Sequence, residues 1–226
     1  MALILPRLYG ITPHREDARQ LFDEVEQALA GGLRCLQYRD KRSAASERLR
    51  RAQELLRLCR RYDSLLLIND DLELGLRVGA DGVHLGQGDG SLAAARARLG
   101  RHALLGATCH GNLQLAQAAA PYTDYLAFGA FFASNSKPQA QSADVSILAA
   151  AAHLGQPRVA IGGISLDNGA ALMAAGADTL AMIGAIFDAP DISQRCRDLL
   201  ALCERPPLSP SSLEESPRDE SLRNAV

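Results

Sequence analysis

Apolar positions along this chain follow two rhythms. Short, nearly continuous apolar runs, rich in Leu, Ile, Val and Tyr, alternate with longer stretches in which apolar residues recur every three or four positions. The first rhythm fits strands buried on both faces, the second helices with one buried stripe. Strands are predicted at Leu8–Thr12, Leu33–Arg39, Leu65–Asn69, Gly82–Leu85, Ala103–Thr108, Tyr125–Phe128, Arg158–Ile161 and Thr179–Ile183. The clearest helix is Ser46–Arg61, with a Ser cap and Leu49, Leu55, Leu56 and Cys59 along one stripe. NLQLAQAAA, VSILAAAAHL and NGAALMAAG read as helices too. GGLRCLQY, GADGVHLG and GADTLAMIG form a weak internal echo: a Gly where a helix should end, a small turn, then a strand. Eight such strand–helix units predict a parallel sheet closed into a single (β/α)8 barrel over residues 1–203. A doubly wound open sheet is the alternative, but it would more often carry G-x-G-x-x-G after its first strand, and none is present. Residues 204–226 are rich in Pro, Ser and charge, and are expected to be a disordered tail.

Composition narrows the function. The chain has 226 residues, enough for one domain with a substantial core. Its formal charge is -2, without the basic excess of a nucleic-acid surface, so any anion must be met locally. Five cysteines are scattered, with no C-x-x-C pair, which fits reduced thiols in the cytoplasm rather than disulfides or a zinc site. The start MALILPRLYG has no basic segment of a signal peptide, and no apolar run approaches the ~20 residues of a membrane helix. Nucleic acid and membrane are therefore not expected partners. Tryptophan is absent and aromatics make up 4%, which argues against an aromatic-lined groove.

In such a barrel the chemistry sits at the carboxyl ends of the strands. Strand two ends in LQYRDK, where alternation puts Gln37, Arg39 and Lys41 on one face. Strand three ends in Asn69 and Asp70, strand four is followed by Asp89, and strand five ends in Thr108. Strand six leads to Ser134, Asn135, Ser136 and Lys137; strand seven ends in Gly162-Gly163 and strand eight in Ile183-Gly184. Cations beside two carboxylates fit a diphosphate with Mg²⁺, which binds through one or two carboxylates plus substrate phosphates. Glycines after the last two strands fit a second phosphate, held by backbone N–H groups.

Each group has a plainer role open to it. Asp70 or Asp71 could cap a helix, Arg39 and Lys41 could be solvated loop charges, and Gly162-Gly163 could be turn glycines. Asp81 and Asp178 suit the helix-to-strand turns. His84 is read as a packed histidine and left out of the site; His110 is placed at most behind it. Cys35 and Cys109 read as small hydrophobes. The plain roles leave unexplained why so many polar groups fall at strand ends.

QYRDK, INDD, GADGVHLGQGD, FGAFF-x-S-N-S-K, AIGGI and MIGAIF, in this order between about Leu8 and Asp188, resemble the thiamine phosphate synthase family. The resemblance implies a TIM barrel, Mg²⁺, phosphorylated small-molecule substrates and frequent self-association into homo-oligomers. It implies that a hydroxymethylpyrimidine diphosphate is joined to a hydroxyethylthiazole phosphate, releasing pyrophosphate. Carried over by position, Gln37, Tyr38, Arg39, Asp40, Lys41 and Asn69 would hold the pyrimidine diphosphate, with Thr108 and Lys137 on the diphosphate. Asp70 and Asp89 would hold Mg²⁺. Ser134, Asn135, Ser136, Gly163, Ile183 and Gly184 would hold the thiazole phosphate. Arg39, Lys41 and Lys137 would stabilise charge on the departing pyrophosphate.

The chain departs from the common pattern at several positions. Ser134-Asn135-Ser136 stands where many relatives have Thr-x-Thr, Thr108 where Ser is common, Gly184 for a frequent Ser, Ala130 for Pro, and Asp40 for a longer Glu or a polar residue. None removes a charge from the diphosphate site. Two other functions remain open. A thiazole tautomerase of the same fold would use a histidine in the strand-six loop, where this chain has Ala130. A non-catalytic binder of thiamine intermediates would need the same cations and carboxylates without turnover.

Overall fold

The computed structural model describes residues 5–133 and 142–204. Eight parallel strands close into a barrel in chain order: β1 Leu8–Ile11, β2 Cys35–Tyr38, β3 Leu65–Asn69, β4 Gly82–Leu85, β5 Leu104–His110, β6 Tyr125–Phe128, β7 Arg158–Ile161 and β8 Thr179–Met182. Pairing of Leu8, Tyr9 and Gly10 with Leu180, Ala181 and Met182 joins the first strand to the last, so the sheet has no open edge. Around it lie α1 Ala18–Ala30, α2 Ala45–Arg61, α3 Leu72–Val78, α4 Leu92–Leu99, α5 Leu113–Ala119, α6 Ser146–Ala150, α7 Gly169–Ala174, α8 Gly184–Phe187 and α9 Ile192–Glu204. The chain is thus a (β/α)8 barrel, and the open-sheet alternative is excluded by this closure.

Strand alternation divides the core in two. Tyr9, Ile11, Cys35, Leu67, Leu104, Tyr125, Ala127, Val159 and Ala181 fill the barrel interior. Their neighbours Leu8, Leu36, Leu66, Ile68, Val83, Leu105, Leu126 and Leu180 face outward, under the helices. Gly106 makes room for an interior aromatic: a Cβ there would stand 2.0 Å from the Tyr125 ring. The amino-terminal floor is tied by three aspartates in the helix-to-strand turns. Asp81 accepts from Leu66 N at 2.8 Å, Asp124 from Leu105 N at 2.7 Å and Asp178 from Arg158 N at 2.8 Å. Asp81 and Asp178 thus have the turn role expected of them.

The elements differ from expectation in detail. β2 stops at Tyr38, so Arg39 lies in the following loop. β5 runs on to His110 through a register shift between Thr108 and His110, a bulge that adds one residue at the mouth. Ser46 is inside α2 and does not cap it. Ala44 occupies the cap without a side-chain hydrogen bond, and Glu47 in the first turn supplies the favourable negative charge instead. α9 buries Ile192, Cys196, Leu199, Leu202 and Cys203 and runs one residue past the expected end of the barrel. All five cysteines are free and buried. Among the described residues no helix is long and apolar enough to cross a membrane.

Candidate active site

A cavity of about 1230 Å³ opens at the carboxyl ends of the strands. Gln37, Arg39, Lys41, Asn69, Asp70, Asp89, Thr108, Gly163, Ile183 and Gly184 all line it, as does His110. A smaller cavity of about 420 Å³ lies at the floor beside Asp124, Arg158 and Asp178. Those side chains are already engaged with one another and with backbone N–H groups, so the mouth is where uncommitted chemistry collects. Ser134, Asn135, Ser136 and Lys137 lie outside the described residues.

The β2 end shows how alternation sorts its residues. Gln37 points inward at 2% exposure, and Arg39 and Lys41 continue on the cavity side after the strand has ended. Thr12 at the end of β1 anchors this turn: its hydroxyl accepts from Arg39 N at 2.9 Å and donates to Arg39 O at 3.3 Å. Tyr38 and Asp40 fall on the opposite side and are not among the residues that line the cavity. Tyr38 packs under the helices, and its hydroxyl donates to Asp40 Oδ2 at 3.1 Å. Asp40 Oδ1 accepts from Arg42 N and Ser43 N, both at 3.0 Å. Asp40 Oδ2 stands 3.6 Å from Arg51 Nη1. Burial alone would raise the Asp40 pKa, but hydrogen bonds from Ser43, Arg42 and Tyr38 outweigh it and hold the carboxyl at about 2. Asp40 therefore shapes the loop that presents Arg39 and Lys41.

The two expected metal ligands meet. Asp71 Oδ1 caps α3 by accepting from Leu74 N at 2.9 Å, which leaves Asp70 for the mouth. Asp70 takes φ +64°, an uncommon conformation for a residue with a Cβ, and its N–H donates to His84 O at 2.8 Å. Lys41 Nζ stands 2.8 Å from Asp70 Oδ2. Asp89 Oδ2 accepts from Gly86 N at 2.7 Å. The two carboxyls influence one another, and their pKa values are driven apart. Burial would raise that of Asp70, but bonds to Lys41, Asp89 and Asn69 bring it down. That of Asp89 is raised by burial and by the bond to Asp70. Opposite shifts in a neighbouring pair are what like charges in one site produce.

Below the mouth lies a polar layer that the sequence reading missed. Gln37 Nε2 donates to Tyr9 Oη at 2.5 Å, and Tyr9 Oη stands 3.0 Å from Tyr125 Oη. Tyr125 Oη is 2.9 Å from His84 Nδ1, and His84 Nε2 is 2.8 Å from Thr108 Oγ1. His84 lines the cavity, and burial pushes its pKa down to about 4, so it is neutral at pH 7. A signal was available: in GVHL, His84 shares the parity of Gly82 and so points into the barrel, one step below the Gly86–Asp89 turn.

On the far side, Gly163 takes φ +64°, and a Cβ there would stand 2.5 Å from Ala133 O. Only glycine lets the loop after β7 pass so close to the loop after β6. Asn168 fixes the turn, donating to Gly163 O at 3.0 Å and accepting from Ser165 N at 2.9 Å. Ile183 occupies the cap of α8 without a side-chain hydrogen bond, so the first N–H groups of that helix begin at the mouth.

Fold and mouth together are those of a (β/α)8-barrel enzyme. Residues 8–186 match the family described as thiamine monophosphate synthase, and the chain belongs to that family. It is a transferase of thiamine biosynthesis. It is 52% identical over 193 residues to the thiamine-phosphate synthase of Chromobacterium violaceum, covering 85% of this chain and 93% of that protein. It is 54% identical over 186 residues to the thiamine-phosphate synthase of Marinobacter nauticus, covering 81% and 84%. The structure of thiamine phosphate pyrophosphorylase from Pyrococcus furiosus superimposes with a TM-score of 0.77 at 31% identity, covering 88% of this chain and 95% of that one.

Proposed function

We propose that the protein joins 4-amino-2-methyl-5-hydroxymethylpyrimidine diphosphate to 4-methyl-5-(2-hydroxyethyl)thiazole phosphate, or its carboxylated form, giving thiamine phosphate and pyrophosphate, and carbon dioxide as well when the thiazole is carboxylated. The observation that carries this reading is the arrangement of the mouth. Arg39, Lys41, Asp70 and Asp89 stand on one side and Gly163 and Gly184 on the other, around one cavity of about 1230 Å³. That suits a diphosphate facing a second, separate phosphate.

Asp70 and Asp89 would hold Mg²⁺. Two carboxyls lining one cavity, whose negative charges disfavour one another, offer hard oxygen donors that a cation would compensate. No group of three or more His, Cys, Asp and Glu suited to a metal gathers among the described residues, so the other ligands would be water and substrate phosphate. When bound, the ion supplies positive charge to the leaving group. Arg39 would grip the diphosphate through its planar guanidinium, and Lys41, now on Asp70, would turn to it. Thr108 and Lys137 would contact the same group, and Gln37 and Asn69 would orient the pyrimidine. The carbon–oxygen bond breaks with its electron pair leaving on pyrophosphate. The thiazole nitrogen then attacks the pyrimidine-stabilised carbocation. Ser134, Asn135, Ser136, Gly163, Ile183 and Gly184 would hold the thiazole phosphate. No nucleophilic side chain is needed; positioning and preorganised charge supply the catalysis.

The test is a coupled assay with both phosphorylated substrates, with and without Mg²⁺, following thiamine phosphate by its fluorescent oxidation product. Mg²⁺-dependent product is expected. No product from demonstrably folded protein would overturn the reading, and thiazole isomerisation and simple binding would be tested next.

A further inference from the structure

The buried chain from Gln37 to Thr108 has a direction. Each tyrosine hydroxyl has one hydrogen, and each stands between two neighbours. Gln37 Nε2 donates to Tyr9 Oη at 2.5 Å, so the Tyr9 hydrogen is left for Tyr125, 3.0 Å away. Tyr125 then has its own hydrogen for His84 Nδ1 at 2.9 Å. A neutral imidazole that accepts at Nδ1 carries its hydrogen on Nε2, which lies 2.8 Å from Thr108 Oγ1. With that lone pair engaged, the Thr108 hydroxyl hydrogen has no further partner among the described residues. Thr108 lines the cavity, on the same wall as Asp89.

We propose that Gln37, Tyr9, Tyr125 and His84 form a one-way hydrogen-bond relay that locks His84 in its Nε2–H form and so presents the Thr108 hydroxyl to the cavity as a donor. His84 is then a positioning residue for an anion, acting through Thr108. Reversing any link reverses all of them. If Nδ1 held the hydrogen, Thr108 would have to donate to His84, and would turn only lone pairs towards the cavity. The relay places a directed donor where a water-facing hydroxyl would rotate freely, and it does so with neutral groups buried inside the barrel. The anion named here, a diphosphate, rests on the proposed function; the direction of the relay does not.

The full chain labelled with ¹⁵N-histidine gives the test. Among five histidines, His84 is assigned by its loss in His84→Asn. Two-bond ¹H–¹⁵N spectra at neutral pH should show His84 neutral with its hydrogen on Nε2; an Nδ1–H form or an imidazolium overturns the proposal. Gln37→Glu replaces a donor by an ionised acceptor and should transfer the hydrogen to Nδ1. A folded Gln37→Glu protein that keeps the Nε2–H form would also overturn it. If that variant does not fold, the wild-type form alone decides. Mg²⁺ with inorganic pyrophosphate should shift the His84 Nε2–H resonance without changing the form. Thr108→Val should bind this probe about tenfold more weakly, the effect of losing one hydrogen bond to a charged group, and Thr108→Ser should restore it. Absence of pyrophosphate binding by the wild type would count against the diphosphate site while leaving the relay standing.

Discussion

Asp40→Asn separates a structural role for the β2 loop from direct contact with ligand. Asn is nearly isosteric, and its Oδ1 can keep the bonds from Arg42 N and Ser43 N. Its amide nitrogen, however, would turn a donor towards the Tyr38 hydroxyl and Arg51 Nη1, which now face Asp40 Oδ2. Arg51 is 6% exposed and bonds the Arg15 and Glu16 carbonyls at 2.8 and 2.7 Å, so it cannot swing away. The Asp40 pKa falls from 3.8 to about 2 on folding. At 1.36 kcal/mol per unit that is about 2 kcal/mol of stability at pH 7, and the variant should lose roughly this amount. A depressed pKa contributes stability that is complete above the unfolded value of 3.8 and is lost as pH falls through about 2. The gap between wild type and variant should therefore hold from pH 7 to about 4 and narrow below. Urea denaturation at stepped pH, read by far-UV circular dichroism, measures it. A gap under about 0.5 kcal/mol at pH 7, within the range of surface substitutions, would refute the reasoning. So would a gap that stays constant down to pH 3. Were Asp40 a diphosphate contact instead, substrate affinity would drop with stability unchanged.

Three further outcomes are expected. Asp89→Asn should raise the Mg²⁺ concentration needed for half-maximal turnover at least tenfold while leaving the melting temperature in place, and chelator treatment should stop turnover without unfolding the protein. Gly106→Ala would drive a Cβ to 2.0 Å from the Tyr125 ring and should cost about 1–3 kcal/mol, measured by chemical denaturation, because the interior cannot yield around a closed layer of side chains. Lys137→Ala should impair turnover far more than folding, since one charged side chain contributes little to a hydrophobic core; an inactive variant with an equally large loss of thermal stability would contradict the role proposed for it.

Sequence alone determined the barrel and most of its mouth. Strand period, helix stripe and glycine-marked turns are local signals, and four of the eight strands carry the bounds predicted for them, among them Leu65–Asn69 and Gly82–Leu85. Because a parallel barrel places every strand end at one rim, Arg39, Lys41, Asp70, Asp89 and Thr108 could be collected without knowing a distance. Tertiary structure alone decided which neighbour in each pair faces the cavity. Asp71 caps α3 while Asp70 turns to the mouth, and Asp40 braces Arg51 while Arg39 and Lys41 reach the cavity. Those choices depend on where a strand stops and on the helix packed outside it. The polar layer was hidden for a related reason. Tyr9 and Tyr125 are 116 positions apart and meet only because closure carries opposite walls to hydrogen-bonding distance, so no periodicity within either segment marks them. His84, read by itself, was one more buried histidine; between Tyr125 and Thr108 it becomes a group with a fixed direction.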